Sequence, residues 1–305
     1  MGTLGGNTGV NDRPLAHTVG WGSELQFLIK VSRPGFWSTA IWFYLLPLGQ
    51  IPVWRTTEFW LGLAYVTVPL GLVIYGWNDL ADRDTDQFNP RKDTFLFGAR
   101  PNSDQLARLP GWIAFVQAPF IAVFLFLLGP RILLWLALLI AATALYNWPR
   151  WGFKNWPGID MLNQVGYLLV FILSSWLNDV PQLPAHTFVF GALFAMHSHL
   201  FGQIMDHAPD LAAGRRTTAG VLGVRLSKCL MVALLAIESA LVWRAAQDPW
   251  IGAFLAGGAL FFIADAAFIW RSRPYAPWEM RFFFLAWNAI AVLSLPWIWS
   301  TAMLR

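Results

Sequence analysis

Residues 78–86 read Asn78-Asp79-Leu80-Ala81-Asp82-Arg83-Asp84-Thr85-Asp86 and follow directly on a long apolar segment. Asn78, Asp82 and Asp86 are spaced four apart, so on a continuing helix their side chains lie along roughly one face. Carboxylates are costly to place beside lipid, which makes acidic residues at the end of an apolar segment candidates for a functional site. The stretch therefore predicts a membrane helix that ends in a row of oxygen ligands.

A second acidic pair, Asp206 and Asp210, ends another apolar segment much later in the chain. Two such helix ends can hold hard divalent cations between them. Mg²⁺ prefers a few carboxylates together with waters and the phosphates of a substrate. The two motifs together therefore favour a membrane enzyme that uses a diphosphate.

The composition is that of an integral membrane protein. The 305-residue chain is 57% hydrophobic and only 12% charged, whereas a soluble domain carries about a quarter charged residues. Long continuous apolar runs, each near the roughly 20 residues that a helix needs to cross the hydrocarbon, predict an all-α bundle of nine transmembrane helices. The predicted spans are 36–53, 58–77, 111–128, 131–148, 158–177, 186–204, 227–246, 250–270 and 280–300. We expect residues 1–30 to form a flexible N-terminal leader and residues 31–305 to form one transmembrane domain.

The basic residues predict the orientation of the bundle. With the N-terminus in the cytoplasm, all but four of the 21 lysine and arginine residues fall on the cytoplasmic side. The four exceptions are Arg55, Arg131, Arg244 and Arg305. Both acidic motifs, and the long loops after them that we interpret as lids, then face the cytoplasm. The same bias explains the net charge of +4, so nucleic acid is not expected as a partner.

Both acidic motifs resemble those of the UbiA superfamily of intramembrane prenyltransferases. Residues 78–86, followed by Asn-Pro-Arg-Lys at 89–92, are similar to the first aspartate-rich motif of that family. The second motif runs from Asp206 through Asp210 to Gly-Arg-Arg-Thr-Thr at 214–218, and is similar to the family pattern D-x₃-D-x₃-G-x-K-[ST]-T. Arg216 stands where lysine is frequent. The loop after Lys92 departs from the family pattern and makes Arg100 an additional candidate.

The resemblance implies Mg²⁺-dependent transfer of a prenyl group from an allylic polyprenyl diphosphate to a hydrophobic acceptor, with release of pyrophosphate. The bond would ionise to an allylic cation in a membrane-buried cavity, assisted by two Mg²⁺ ions. The implied metal ligands are Asn78, Asp82, Asp86, Asp206 and Asp210. The implied catalytic residues are the same four aspartates and Lys154. The implied diphosphate-binding residues are Arg91, Lys92, Arg100, Arg150, Arg215 and Arg216. Tyr146 and Arg33 are expected at the acceptor or at the allylic cation.

A third stretch, residues 146–160, is similar to the superfamily pattern Y-S-x-P-P-x-R-x-K…P-G-[LI]-D. Lys154 and Asp160 match it, whereas Gly152 takes the usual arginine position and Arg150 lies two places earlier. Together with Asn-Pro-Arg-Lys at 89–92, this version leans toward the carotenoid-elongating, lycopene elongase-like branch of the superfamily.

The sequence also fits two other functions. A membrane terpene cyclase or hydratase would use the same ionisation and differ in its product, and a cation- or proton-coupled transporter would use the acidic residues as a relay. The acceptor is open among carotenoid, aromatic and lipid-like molecules, and the donor chain length and the oligomeric state are open as well. His197 and Glu238, inside predicted spans, are interpreted as packing or cavity-lining groups.

Overall fold

The computed structural model describes residues 21–84, 86, 89–302 and 304. Over these ranges the chain is helical, and its β-type pairing is limited to an isolated bridge between Thr94 and Gly98. The helices are α1 (Trp21–Val31), α2 (Trp37–Leu45), α3 (Thr57–Ala81), α4 (Ser103–Leu128), α5 (Arg131–Asn147), α6 (Ile159–Leu177), α7 (Ala185–Met205), α8 (His207–Ala212), α9 (Thr218–Ala246), α10 (Pro249–Ala267) and α11 (Pro277–Thr301). The predicted all-α class is confirmed.

The nine predicted spans correspond to α2 through α7 and α9 through α11. Within the described ranges, seven of these helices are long and apolar enough to cross a membrane, and α5 is a shorter apolar helix. The first span differs from its prediction, because α2 is only 9 residues long. Pro47, which lacks a backbone N–H, lies in a 3₁₀ turn over Leu46–Leu48 that ends the α-helix early.

α4 begins well before its predicted start, at Ser103, whereas hydropathy places the start at 111. α9 begins at Thr218 with a short helical segment, which a kink at Gly223 (φ 75°) separates from the rest of the helix, whose start is predicted at 227. Asn102 and Gln105 cap α4 reciprocally, each side chain accepting a hydrogen bond from the backbone N–H of the other. Hydropathy misses such polar first turns because it registers only the apolar part of a helix.

The predicted leader extends too far along the chain. Residues 1–20 lie outside the described residues, but residues 21–31 form α1. Its inner face is buried together with side chains of α3, of α4 and of the loop between them, because the helix is amphipathic. This cluster consists of Phe27, Leu28, Val31, Leu72, Ala99 and Leu109.

α3 is irregular where it approaches the acidic motif. Leu72–Gly76 forms a π-helical turn, and a short α-helical stretch over Trp77–Ala81 follows it. Such turns occur mostly as local bulges and are frequent at functional sites. The irregular end of α3 carries Asn78 and Asp79 into the site described below.

α9 and α10 are joined by a buried ionic cluster. Lys228 Nζ lies 2.7 Å from Asp265 Oδ1 and also donates to the carbonyl of Arg271 at 2.9 Å. The Tyr275 hydroxyl donates to the other oxygen of Asp265. Because each charged group is paired and hydrogen-bonded, the cluster holds this side of the bundle without a buried lone charge.

Candidate active site

Four aspartates meet at one end of the bundle, which we call the acidic end. Asp82 directly follows α3, and Asp86 lies in the turn after it. Asp206 directly follows α7, and Asp210 lies in the short helix α8. All four line one cavity of about 730 Å³. The structure therefore brings the two acidic motifs into a single site.

Arg215 connects the two acidic motifs. Its Nη2 lies 2.7 Å from Asp82 Oδ1, and its Nη1 lies 3.5 Å from Asp210 Oδ1. Lys154 Nζ contacts the same oxygen of Asp82. Burial alone would raise the pKa of Asp82, but Arg215 and Lys154 outweigh it and hold that pKa below its usual range. Asp82 is therefore an ionised carboxylate between two cations.

The loop after Asp86 supplies a contact to the second motif. Arg91 Nε donates to Asp206 Oδ1 at 3.0 Å, and Asn89 Nδ2 donates to the same oxygen at 3.0 Å. The Arg91 guanidinium lies 4.7 Å from the ring centroid of Phe97. Stacking on a ring and pairing with a carboxylate fix the orientation of this guanidinium at the mouth of the cavity.

Lys92 occupies the equivalent place in the first motif. Its Nζ lies 2.7 Å from Asp79 Oδ1 and 2.7 Å from Asp86 Oδ2. Burial raises the pKa of Asp86, and Lys92 offsets that rise only in part. Asp79 is fully buried, and its Oδ2 has no hydrogen-bond partner among the described residues. Sequence reasoning missed this role of Asp79 because the residue falls off the stripe formed by Asn78, Asp82 and Asp86.

Arg33 lies against the first motif. Its Nη2 donates to Asn78 Oδ1 at 3.0 Å and to Asp79 Oδ1 at 2.9 Å. The Asn78 amide nitrogen donates in turn to Asp82 Oδ2 at 2.7 Å. The Arg33 guanidinium also lies 4.7 Å from the ring centroid of Tyr75. Arg33 therefore orders the end of α3, and it also lines the cavity.

Three of the six arginines and lysines expected at the diphosphate lie elsewhere. Arg100, Arg150 and Arg216 are exposed, and none of them lines the cavity. Arg100 donates to the backbone carbonyl of Asn89 at 2.7 Å and so supports the loop that carries Arg91. The cations that reach the carboxylates are Arg91, Lys92, Lys154 and Arg215.

Asp160, which matches the third superfamily pattern, holds the other side of the site through contacts that the pattern does not specify. Its Oδ2 accepts from Gln203 Nε2 and from the backbone N–H of Thr218, both at 2.7 Å. Gln203 Nε2 lies 2.9 Å from His199 Nε2, and the Tyr146 hydroxyl lies 3.4 Å from the same nitrogen. This network ties the beginnings of α6 and α9 to α7 and places Tyr146 in the cavity wall.

The residues present fit divalent cations that are shared with a substrate. Among the described residues, no three Asp, Glu, His or Cys side chains group closely enough to hold a metal ion by themselves. Mg²⁺ usually takes one or two carboxylates plus substrate phosphates, so two facing acidic pairs suit it without a closed protein cage. Burial and the neighbouring Asp206 raise the pKa of Asp210 to about 7 despite Arg215. A further cation would stabilise its ionised form.

Away from the acidic end, the cavity is apolar and aromatic. α11 lines it from Phe283 to Trp297, a rise of about 21 Å along the helix. Trp42 and Phe43 of α2 also line it, and Trp42 Nε1 donates to Ser294 Oγ at 3.2 Å. The cavity therefore has room for a long, narrow apolar chain that begins at the acidic end.

These features define a multi-pass helical membrane protein whose site suits a molecule with an anionic head and an apolar tail. The chain matches the UbiA prenyltransferase family over residues 36–289 and belongs to that family. It is therefore an enzyme, a prenyltransferase, as the motif resemblance predicts. Membership of this family favours the enzyme over the transporter hypothesis.

The relatives include carotenoid enzymes. The lycopene elongase/hydratase of Corynebacterium glutamicum is 29% identical over 256 residues, covering 81% of this chain and 86% of the relative. The lycopene elongase/hydratase of Haloferax volcanii is 32% identical over 252 residues, covering 78% of each chain. The structure of a UbiA homolog from Archaeoglobus fulgidus bound to DMAPP and Mg²⁺ has a TM-score of 0.66 and 17% identity, covering 90% of this chain and 99% of that chain.

Proposed function

We propose that this enzyme transfers an allylic prenyl group from its diphosphate to a long polyene acceptor of the carotenoid class, in a Mg²⁺-dependent reaction that releases pyrophosphate. The observation that carries the proposal is the bridge of Arg215 between Asp82 and Asp210 at the mouth of a deep apolar cavity. Carboxylates that bind metal ions, together with lysines and arginines between them, suit a diphosphate bound through metal ions. The apolar cavity behind them suits the hydrocarbon tail of that diphosphate.

The proposed metal ligands are the four aspartates, Asp82, Asp86, Asp206 and Asp210, which would hold two Mg²⁺ ions. Asn78 is held beside them by its hydrogen bond to Asp82. When bound, the divalent cations neutralise the charge that develops on the leaving pyrophosphate. We propose that this end of the cavity opens to the cytoplasm, where diphosphates and Mg²⁺ are available.

Four cations of the chain are placed to hold the diphosphate. Arg91, Lys92, Lys154 and Arg215 each contact a carboxylate of the site. With the donor bound, their N–H groups donate to phosphate oxygens, and arginine does so in bidentate geometry. The carboxylates hold these cations at the mouth of the cavity, and when the metal takes the carboxylates the cations turn to the leaving group and stabilise its charge.

The apolar walls hold the organic part of the reaction. The allylic C–O bond breaks, its electron pair leaves with pyrophosphate, and the allylic carbon is left as a cation. The aromatic faces of Tyr75, Tyr146 and Tyr167, which line the cavity, stabilise this charge. A terminal double bond of the acceptor then attacks the allylic carbon, which forms the new C–C bond and moves the positive charge onto the acceptor.

The acceptor class rests on the length of the cavity and on the relatives. The lining of α11 spans about 21 Å, which suits a linear polyene better than a single aromatic ring. Relatives named lycopene elongase/hydratase cover most of the chain at 29% and 32% identity. The same name makes hydration of the acceptor cation a second candidate outcome, in which water adds to the cation and a proton is lost.

The experiment is pyrophosphate release by purified, detergent-solubilised protein, with allylic diphosphates of increasing length, lycopene as the acceptor, and Mg²⁺ present or removed by a chelator. We expect Mg²⁺-dependent release and a carotenoid product heavier by one prenyl group. An additional mass of water identifies hydration, and a rearranged donor hydrocarbon without acceptor identifies cyclisation. Release without Mg²⁺, or no release by folded protein, contradicts the proposal.

Asp206→Asn tests the acidic end directly, with Asp104→Asn as the control. Asp104 is an exposed acid in the first turn of α4 and does not line the cavity. Loss of one electrostatic stabiliser of a transition state typically costs about 100- to 1000-fold in rate. We expect at least that loss for Asp206→Asn and unchanged activity for Asp104→Asn.

A further inference from the structure

A second pair of ionisable side chains lies in the apolar part of the protein, apart from the acidic end. His197 Nδ1 of α7 lies 2.6 Å from Glu238 Oε1 of α9. His197 is 5% exposed and Glu238 is fully buried. Ionisable groups inside a membrane bundle are costly, and they mark functional sites by default. The sequence interpretation of the two residues as packing or cavity-lining groups does not account for their direct pairing beside the cavity.

The pair presents one ring nitrogen that is available for chemistry. In the tautomer whose Nδ1–H donates to the Glu238 carboxylate, Nε2 carries the lone pair of the ring. Nε2 has no hydrogen-bond partner among the described residues, and His197 lines the cavity. The neighbouring His199 is different, because its ring is bonded to Gln203 and Tyr146.

The surroundings of His197 suit a carbocation. Its ring packs edge-on against Phe194, with centroids 5.1 Å apart. Phe194 lies 5.4 Å from Trp287 and stacks on Trp42 at 6.1 Å. The rise along α7 from His197 to Asp206 is about 14 Å. The pair therefore lies deeper than the diphosphate, in the part of the cavity left to the prenyl chain and the acceptor.

We propose that His197, held by Glu238, is the general base that ends the reaction. This inference rests on the proposed function. After C–C bond formation, His197 Nε2 takes a proton from the carbon next to the acceptor cation, and the C–H electron pair forms a new double bond. In the hydration outcome it takes the proton from the water molecule whose oxygen bonds to that cation. Glu238 is a positioning residue that fixes the ring tautomer and stabilises the imidazolium.

The test compares His197→Gln and Glu238→Gln with wild type, and uses His186→Gln as the control. His186 lies on the same helix α7 but does not line the cavity. Pyrophosphate release and finished carotenoid product are measured together, with DMAPP as donor and lycopene as acceptor. The ratio of carotenoid product to pyrophosphate reports the final proton removal separately from ionisation of the donor. If His197 had a purely structural role, the variant would lower product and pyrophosphate together and leave their ratio unchanged.

Because general bases typically contribute about 100- to 10,000-fold, we expect His197→Gln to lower that ratio at least tenfold while pyrophosphate release stays within about threefold. Side products of the stranded acceptor cation, such as double-bond isomers or adducts with water from solvent, should rise correspondingly. Glu238→Gln, which keeps the size of the side chain, should shift the ratio in the same direction by less.

An unchanged ratio in folded His197→Gln overturns the inference, as does an equal shift in His186→Gln. If His197→Gln does not fold, Glu238→Gln decides by the same criterion. A wild-type enzyme that makes no prenylated product overturns the proposed function, and the inference with it. If the wild-type enzyme makes the product and the variants have the same ratio of product to pyrophosphate as wild type, the inference is overturned and the proposed function stands.

Discussion

At the scale of single residues, two arginines of one loop are predicted to differ in function. Arg91 pairs with Asp206 at the cavity mouth, whereas Arg100 is exposed and contacts a backbone carbonyl. A hydrogen bond to a charged group is worth about 1.5–3 kcal/mol. We therefore expect Arg91→Gln to lower kcat/KM for the diphosphate donor by about 10- to 100-fold.

The matched variant Arg100→Gln should stay within about threefold of wild type, since exposed polar contacts contribute little. Steady-state pyrophosphate release at varied donor concentration measures both variants. Equal losses in the two variants would mean that the loop acts as a unit and that Arg91 has no specific contact with the donor.

The acidic residues of the site were predictable from the sequence, but their partners were not. Asp82 and Asp86 stand out because their spacing matches the helical period and they end an apolar segment. The contact of Arg91 with Asp206 joins residues 115 positions apart, and no local pattern encodes it. The pair of His197 and Glu238 went unrecognised for the same reason, because each residue is unremarkable until α7 and α9 are packed.

At the scale of elements, the turn before α2 is predicted to be intolerant of any side chain. A Cβ at Gly35 would come within 2.5 Å of the carbonyl oxygen of Leu96 and would collide with the ring of Phe284. This turn therefore packs directly against the loop of the acidic end and against α11. Overpacking of this kind costs about 1–3 kcal/mol, so Gly35→Ala should lower the free energy of unfolding by that amount.

The control is Gly257→Ala in the interior of α10, where an added Cβ has nothing within 4 Å. There the substitution should be neutral or stabilise by up to about 1 kcal/mol, because alanine favours the helix. Thermal unfolding of the two variants in the same detergent measures the difference. A Gly35→Ala variant as stable as Gly257→Ala would show that this junction is loosely packed.

Hydropathy predicted the existence of the membrane helices better than their ends. The polar first turns of α4 and α9 are set by caps such as Asn102, which a hydropathy window does not register. α1 carries its apolar side chains on one face, so its mean hydropathy is too low to separate it from a flexible leader. The short α2 depends on Pro47, whose effect is local and geometric.

At the scale of the whole molecule, the depth of the cavity is predicted to select the acceptor. Ala291 of α11 is 8% exposed and lines the cavity, whereas Leu293 on the same helix is 78% exposed. Ala291→Phe fills the deep part of the cavity. We expect it to weaken binding of a long acceptor by about 1–3 kcal/mol, which lowers the rate of prenyl transfer to that acceptor by about 5- to 150-fold. Leu293→Phe, which faces outward, should leave transfer unchanged.

Product yield with lycopene and with a shorter polyene measures this effect. We expect the loss in Ala291→Phe to be larger for the longer acceptor. Equal losses of product yield with the two acceptors would mean that the long acceptor does not lie along α11.

In the free enzyme, the lysines and arginines of the acidic end occupy the carboxylates to which a metal would bind, so ligand binding must exchange one set of ion pairs for another. Each carboxylate that a metal needs is held by a lysine or an arginine, and each of those cations is what a diphosphate needs. Binding of either ligand frees a partner for the other, and thermodynamic linkage makes that coupling reciprocal. Saturating pyrophosphate should therefore tighten Mg²⁺ binding by about 5- to 150-fold, measured calorimetrically with free-ion concentrations corrected for the complex in solution. Mg²⁺ and pyrophosphate affinities that do not depend on each other would contradict this coupling. Affinities that rise together mean that the metal and the donor bind the membrane site as a pair whose charges largely cancel.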